Sequence, residues 1–129
     1  MLKVAFTSSD GEKVDQHFGA ASHFDVWEVG PKESGFVGRV SALTSAADEE
    51  DKTAARAAAI AGCAIVYTVQ IGGPAAAKLV ARRIHPMKTQ GEVAVAELVG
   101  RLQEVLKGNP PPWLRKAMGG GQAAGPTDE

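Results

Sequence analysis

Cys63-Ala64-Ile65-Val66-Tyr67-Thr68-Val69, running into Gln70-Ile71-Gly72-Gly73-Pro74, is a short apolar run that ends in a turn. Both of its faces are apolar, the pattern of a parallel strand covered on both sides rather than of a strand with one wet face. Pro74 suits the first turn of a helix, and Ala75 to Arg83 carry that helix onward. A buried central strand feeding directly into a helix is the building unit of an α/β fold.

Working outward from that unit, Leu2-Lys3-Val4-Ala5-Phe6-Thr7 reads as a first strand, closed by the turn residues Ser8-Ser9-Asp10-Gly11. His23 to Val29 alternates apolar and polar residues, as a strand with one buried face does. The breaker cluster Gly30 to Gly35 follows, and Phe36 to Val40 resumes extended structure, which together predict an antiparallel hairpin. From Asp48 to Ala61 acids lead and alanines fill, with Gly62 as the stop, so a helix is expected there. Beyond the central unit, Pro86 to Thr89 predicts a short strand. Val93 to Leu106 predicts a helix with Val95, Leu98, Val99, Leu102 and Leu106 toward the core. The order strand, strand, strand, helix, strand, helix, strand, helix predicts a mixed sheet flanked by helices, its later strands parallel to the first.

The 129 residues are expected to form one domain over 1–108, burying roughly 65 to 70% of its unfolded surface. Residues 109–129, rich in proline and glycine, are expected to form a tail that is at least partly disordered, with Trp113 docking back on the body or serving a partner. A formal charge of -1 and 22% charged residues give no bias toward nucleic acid. A single cysteine excludes an internal disulfide and fits a reducing cytoplasm. Nothing in the sequence approaches the ~18 uninterrupted apolar residues of a membrane span.

The chemistry-bearing stretch is Val14-Asp15-Gln16-His17-Phe18-Gly19, which sets an imidazole on the loop after the first strand. Open α/β sheets gather ligands at the carboxyl edge of their strands, and the Gly72-Gly73-Pro74 turn is expected at the same edge. His17 is the first candidate metal ligand. Ser8, Ser9, Gln16, Phe18, Gly19, Gly72 and Gly73 are candidate contacts, and Asp15 is a candidate to orient the His17 ring. Cys63 and His85 are further candidate ligands, although they precede their strands and so are expected near the opposite edge. His23 is expected to begin a strand. A two-metal nuclease, the main enzymatic rival, needs several carboxylates converging on the sheet, and the first and central strands contain none.

Several separated motifs resemble the nitrogenase iron-molybdenum cofactor carrier family, which comprises NifX-type proteins, the NafY core domain and the C-terminal domain of many NifB proteins. They are Lys3-Val4-Ala5-Phe6 with Ser9-Asp10-Gly11, the Val14 to Gly19 stretch, Glu28-Val29, Gly62 to Tyr67 and Ile71 to Ala76. Ile84-His85-Pro86 and Gly108-Asn109-Pro110-Pro111-Pro112-Trp113-Leu114-Arg115-Lys116 resemble the NifX branch in particular. The resemblance implies a three-layer α/β/α ribonuclease H-like fold with a five-stranded mixed sheet whose second strand is antiparallel to the rest.

It implies binding and carriage of iron-sulfur precursors of the iron-molybdenum cofactor, without catalysis. The cluster would be bound transiently, with His17 as its ligand. The partners it implies are donor and scaffold proteins of nitrogenase maturation, with no nucleic acid or membrane partner. The protein is expected to be a monomer, or a dimer around a cluster. The alternative is a regulatory or interaction module of the same pathway that binds no cluster.

The residues are consistent with that cargo on chemical grounds. A protein that assembles a cluster from free iron supplies about four thiolates, and one cysteine cannot do so. A preassembled cluster needs only an open iron position filled, and a neutral imidazole does this while remaining easier to displace than a set of thiolates.

Overall fold

The computed structural model describes residues 2–42 and 49–120. Its elements in chain order are β1 (Leu2–Phe6), β2 (Lys13–Val14), a 3-10 turn (Phe18–Ala20), β3 (His23–Val29), β4 (Ser34–Ser41), α1 (Glu49–Ala59), β5 (Ile65–Thr68), α2 (Gly73–Ala81), β6 (His85–Lys88), β7 (Val93–Ala94), α3 (Val95–Lys107) and α4 (Pro112–Gly120). Five strands form one sheet in the order β4-β3-β1-β5-β6. β1 pairs in parallel with β5, and β5 with β6. β3 is antiparallel to both of its neighbours, so it alone runs against the rest. The mixed α/β sheet and its reversed second long strand are as the sequence predicts.

The sheet divides the core in two. On one face Leu2, Val4, Phe6, Ile65 and Tyr67 pack with Val95, Leu98, Val99, Leu102 and Leu106 of α3. On the other, Ala5, Phe24, Val26 and Val66 pack with Ala57 and Ile60 at α1 and with Leu79 and Ile84 at α2. β1 and β5 contribute to both faces because successive side chains alternate, which is why both read as nearly continuous apolar runs. Phe6 stacks on Tyr67 with ring centroids 5.4 Å apart and meets Trp27 edge-on at 6.5 Å.

One polar pair crosses this apolar frame. Asp25 on β3 is 2% exposed and accepts hydrogen bonds from Arg39 Nε at 2.8 Å and Nη2 at 3.3 Å. That charged bond raises the Arg39 guanidinium above its usual value.

Two features differ from the expectations. β2 and β7 form a separate two-stranded ribbon, Lys13 opposite Ala94 and Val14 opposite Val93, too short to leave a periodic signal. The segment expected to be a tail instead carries α4, whose Leu114 is 2% exposed and belongs to the α3 side of the core. Helix formation there follows from Pro112 at the start, where a missing N–H costs nothing. Burial of Leu114 is a long-range event invisible in local composition. The acidic residue Asp48 and the glycine-rich stretch 121–129 lie outside the described residues.

α2 ends in a Schellman turn: Arg83 N donates to Val80 O and Ile84 N to Leu79 O, each at 2.9 Å. The residue after the cap, Arg83, has φ +64, a left-handed conformation that costs a residue with Cβ about 1 kcal/mol. Glycine usually stands there. Ile84 and Leu79 in the same core cluster complete the motif.

Candidate functional site at the carboxyl edge of the sheet

β1 ends at Phe6, and Thr7 and Ser8 continue it fully buried. The turn beyond is held by its own side chains. Ser8 Oγ accepts from Gly11 N at 2.8 Å and donates to Asp10 Oδ1 at 3.2 Å. Asp10 Oδ1 also accepts from Glu12 N at 2.8 Å and Lys13 N at 3.2 Å. Those two backbone donors hold the Asp10 carboxyl below the usual carboxylate range. Gly11 takes φ +81, a left-handed conformation that favours glycine, while a Cβ there would make only ordinary contact with Asp25 Oδ2 at 3.4 Å. Lys13 is raised by its hydrogen bond and ion pair to Glu92, 3.2 Å away.

The chain then returns to the sheet edge and adds to β5 as a parallel extension. Val69 N donates to Gln16 O at 3.0 Å and Phe18 N to Gln70 O at 2.8 Å, making an isolated parallel bridge between His17 and Gln70. Two buried threonines secure the same carbonyl: Thr7 Oγ1 and Thr68 Oγ1 lie 2.9 Å and 3.0 Å from Gln16 O. Phe18 turns inward, 1% exposed, against Phe24 at 5.6 Å. Alternation sends His17 outward. It is exposed, precedes the 3-10 turn without a side-chain cap bond, and its ring has no hydrogen-bond partner among the described residues.

The bridge sets His17 beside Gln70, three residues before α2 opens at Gly73. Gly72 is the N-cap, with extended backbone and no capping side chain, and Ala76 N is satisfied by Gly72 O at 2.9 Å. Pro74 has no N–H, so Gly73 and Ala75 hold the donors left at the helix start. Gly19 and Gly73 have ordinary φ values, and a Cβ on either would meet nothing within 4 Å. Neither is demanded by backbone or packing, and open space lies beside both.

Other expected site residues have different occupations. Asp15 does not turn to His17: Oδ1 accepts from Ser9 N at 2.9 Å and Oδ2 from Ser9 Oγ at 2.5 Å. Ser8 is likewise committed to its turn. Gln16 keeps its side chain at the edge, with Oε1 buried and unpartnered among the described residues, so an amide flip or a bound donor would satisfy it.

His23 begins β3 at this edge, with Nδ1 3.2 Å from Ser22 Oγ. Cys63 and His85 lie at the other end. Cys63 is 5% exposed among apolar residues, and burial pushes its thiol up to about 11. His85 pairs with Ile65 at the start of β5, whereas His17 pairs with Gln70, five residues later, roughly 16 Å along the strand. Among the described residues no three His, Cys, Asp or Glu side chains are grouped to hold a metal ion. The edge thus offers one free imidazole, helix-start donors and room.

Residues 1–105 match the family model described as dinitrogenase iron-molybdenum cofactor. The chain belongs to that family. This family member is 44% identical to protein NifX of Herbaspirillum seropedicae over 94% of its own length and 84% of the relative's. It is 36% identical to protein NifX of Rhodobacter capsulatus, covering 92% and 78%. It is 38% identical to protein NifY of Azotobacter vinelandii over 92% of its own length, spanning 48% of that longer protein. Its fold is similar to the crystal structure of PH0822, with a TM-score of 0.64 at 18% identity over 80% of this chain and 91% of that one.

Family and relatives place the protein in nitrogenase iron-molybdenum cofactor biosynthesis. No helix among the described residues is long and apolar enough to cross a membrane.

What the sequence missed at this edge is the pair Thr7 and Thr68. Each stands at the end of a strand beside a turn, and that placement was the available signal.

Proposed function

We propose that this protein is a non-catalytic carrier that binds preassembled iron-sulfur precursors of the nitrogenase iron-molybdenum cofactor and passes them between maturation proteins in the cytoplasm. The observation that carries this reading is the His17 ring: exposed, without a hydrogen-bond partner among the described residues, and held at the sheet edge by a backbone that is itself tightly bonded. Its neutral imidazole would fill an open iron position of the cargo. The Gly73 and Ala75 donors at the start of α2 would face the cargo's negative charge, and the space beside Gly19 and Gly73 would admit its bulk. Asp10 and Asp15 are engaged by backbone and serine donors, which blunts their repulsion of an anionic guest. Cys63 and His85 take no part in this site.

The test is direct. Under anaerobic conditions the purified protein is mixed with an isolated cofactor precursor, free cluster is removed by gel filtration, and iron and visible absorption are measured in the protein fraction. Wild type is expected to elute coloured and iron-loaded, and His17→Ala to lose most of that iron while keeping its melting temperature. A wild-type protein that elutes colourless refutes the carrier reading and leaves the interaction module. Equal loading and an equal spectrum in His17→Ala refute the ligand assignment.

A further inference from the structure

Two sequence motifs are unused by the cargo site, and the fold joins them at the opposite end of the sheet. His85 of Ile84-His85-Pro86 opens β6, and Trp113 of the Pro110-Pro111-Pro112-Trp113 run stands in the first turn of α4. Their rings stack with centroids 4.2 Å apart and planes 22° apart. Trp113 nevertheless stays 40% exposed. The stack thus presents a half-exposed aromatic ring at this corner.

The corner is also basic. Residues 82–85 and 107–117 contain Arg82, Arg83, Lys107, Arg115 and Lys116 and no aspartate or glutamate, in a chain of formal charge -1. Lys107 pairs with Glu104. Arg82, Arg83, Arg115 and Lys116 have no ion-pair partner among the described residues. Arg83 occupies a left-handed backbone position that glycine would fill with less strain. The turn does not need an arginine, so its charge calls for a use elsewhere.

We infer that this corner docks an acidic segment of a partner protein. An apolar side chain of the partner covers Trp113, and its carboxylates meet Arg83, Arg115 and Lys116. An exposed aromatic anchor, with arginine and lysine unpaired among the described residues on its own helix and in the turn that leads into its stacking partner's strand, has the composition of a contact hot spot, and the local charge excess selects acidic partners. The corner lies at the other end of β5 from His17, so a docked partner leaves the cargo edge open. The inference goes beyond the carrier reading and stands without it, because no cluster is needed to test it.

The test uses the full chain and a short fluorescein-labelled peptide of aspartate and glutamate with leucine at every fourth position, read by fluorescence anisotropy. A peptide with glutamine and asparagine in place of the acids and a single-stranded oligonucleotide of similar length serve as comparisons. The acidic peptide is expected to bind, and to bind more weakly as salt rises to physiological ionic strength. Arg83→Gly with Lys116→Gln should weaken it about five- to tenfold, with no fall in melting temperature. Trp113→Ala should weaken it further, and Lys32→Gln, at the distant hairpin turn, should leave it unchanged. Absence of peptide binding, equal affinity in the Arg83→Gly/Lys116→Gln variant, or tighter binding of the oligonucleotide than of the peptide would each overturn the inference.

Discussion

Replacing Thr7 and Thr68 by valine, singly and together, tests how the His17 loop is fixed. Both residues are fully buried, and both hydroxyls reach Gln16 O, at 2.9 Å and 3.0 Å, while Val69 N reaches the same oxygen at 3.0 Å. Each hydroxyl has one proton and a second acceptor nearby, Tyr67 O at 3.3 Å for Thr7 and Gln70 O at 3.2 Å for Thr68. Losing one hydroxyl leaves Gln16 O with two donors, and the surviving threonine commits to it fully. Each single variant should therefore cost only about 0.5 to 1 kcal/mol.

The double variant leaves the oxygen with Val69 N alone and should cost about 2 to 3 kcal/mol, a coupling of about 1 kcal/mol at the middle of these ranges. For a chain of this length about 1 kcal/mol shifts the melting temperature by roughly 4 °C. Calorimetry should thus show small losses for the singles and roughly 8 to 12 °C for the double. Hydrogen exchange should speed up at the Phe18 and Val69 amides. Additive losses, with the Phe18 amide as protected as in wild type, would show that the shared carbonyl does not hold the loop.

Leu114→Ala should destabilise the protein by about 2 to 4 kcal/mol, because the side chain is 2% exposed in the α3 core. Arg115→Ala, one residue on and exposed, should stay within about 0.5 kcal/mol in the same melting assay. Arg39→Ala strips the buried Asp25 carboxylate of its guanidinium and should lower the urea midpoint, by less than loss of a fully buried partner would because Arg39 is itself 47% exposed. Adding Asp25→Asn should recover part of the loss in urea unfolding.

Burial pushes the Cys63 thiol up to about 11 in the folded chain, so its contribution is fully present below the unfolded value of about 8.5 to 9 and fades as pH climbs toward 11. Between pH 8 and 11 wild type should lose about 2 kcal/mol more stability than Cys63→Ala. Parallel pH profiles for the two proteins would refute that account.

The elements legible in the sequence were those specified within a dozen residues. The run ending in Thr68 announced a strand because both its faces are apolar, and β5 is buried at every position. The stretch from His23 to Val29 matches the bounds of β3, but its burial does not alternate: Phe24, Asp25 and Val26 are all buried, Asp25 by virtue of its bonds to Arg39. α4 was illegible because its place is fixed by Leu114 reaching a core built from β1, β5 and α3, while its neighbours are prolines and glycines that read as linker. Asp15 was misjudged as a partner of His17 because adjacency in sequence is not adjacency of side chains. Both oxygens of Asp15 are taken by the Ser9 backbone N–H and hydroxyl across the turn, a contact six residues back that the spacing to His17 does not reveal. The Schellman turn at Arg83 escaped notice because its usual mark, a glycine, is missing.

The parallel extension at β5 explains why one edge can be both rigid and receptive. Gln16 and Phe18 place their backbone bonds on Val69 and Gln70, and Phe18 drives its ring into the core. Every strong interaction in the 16–18 segment is thus made by groups other than the His17 side chain. Fixing the backbone and leaving the ring without a partner means that a ligand meets an oriented imidazole, with little backbone ordering left to oppose binding. A ring already bonded to Asp15 would have to keep or break that bond when its cargo left. Under the proposed reading, a ring with no such bond would let go by exchange of a single iron–nitrogen link, the behaviour a carrier requires and a resident metal centre would avoid.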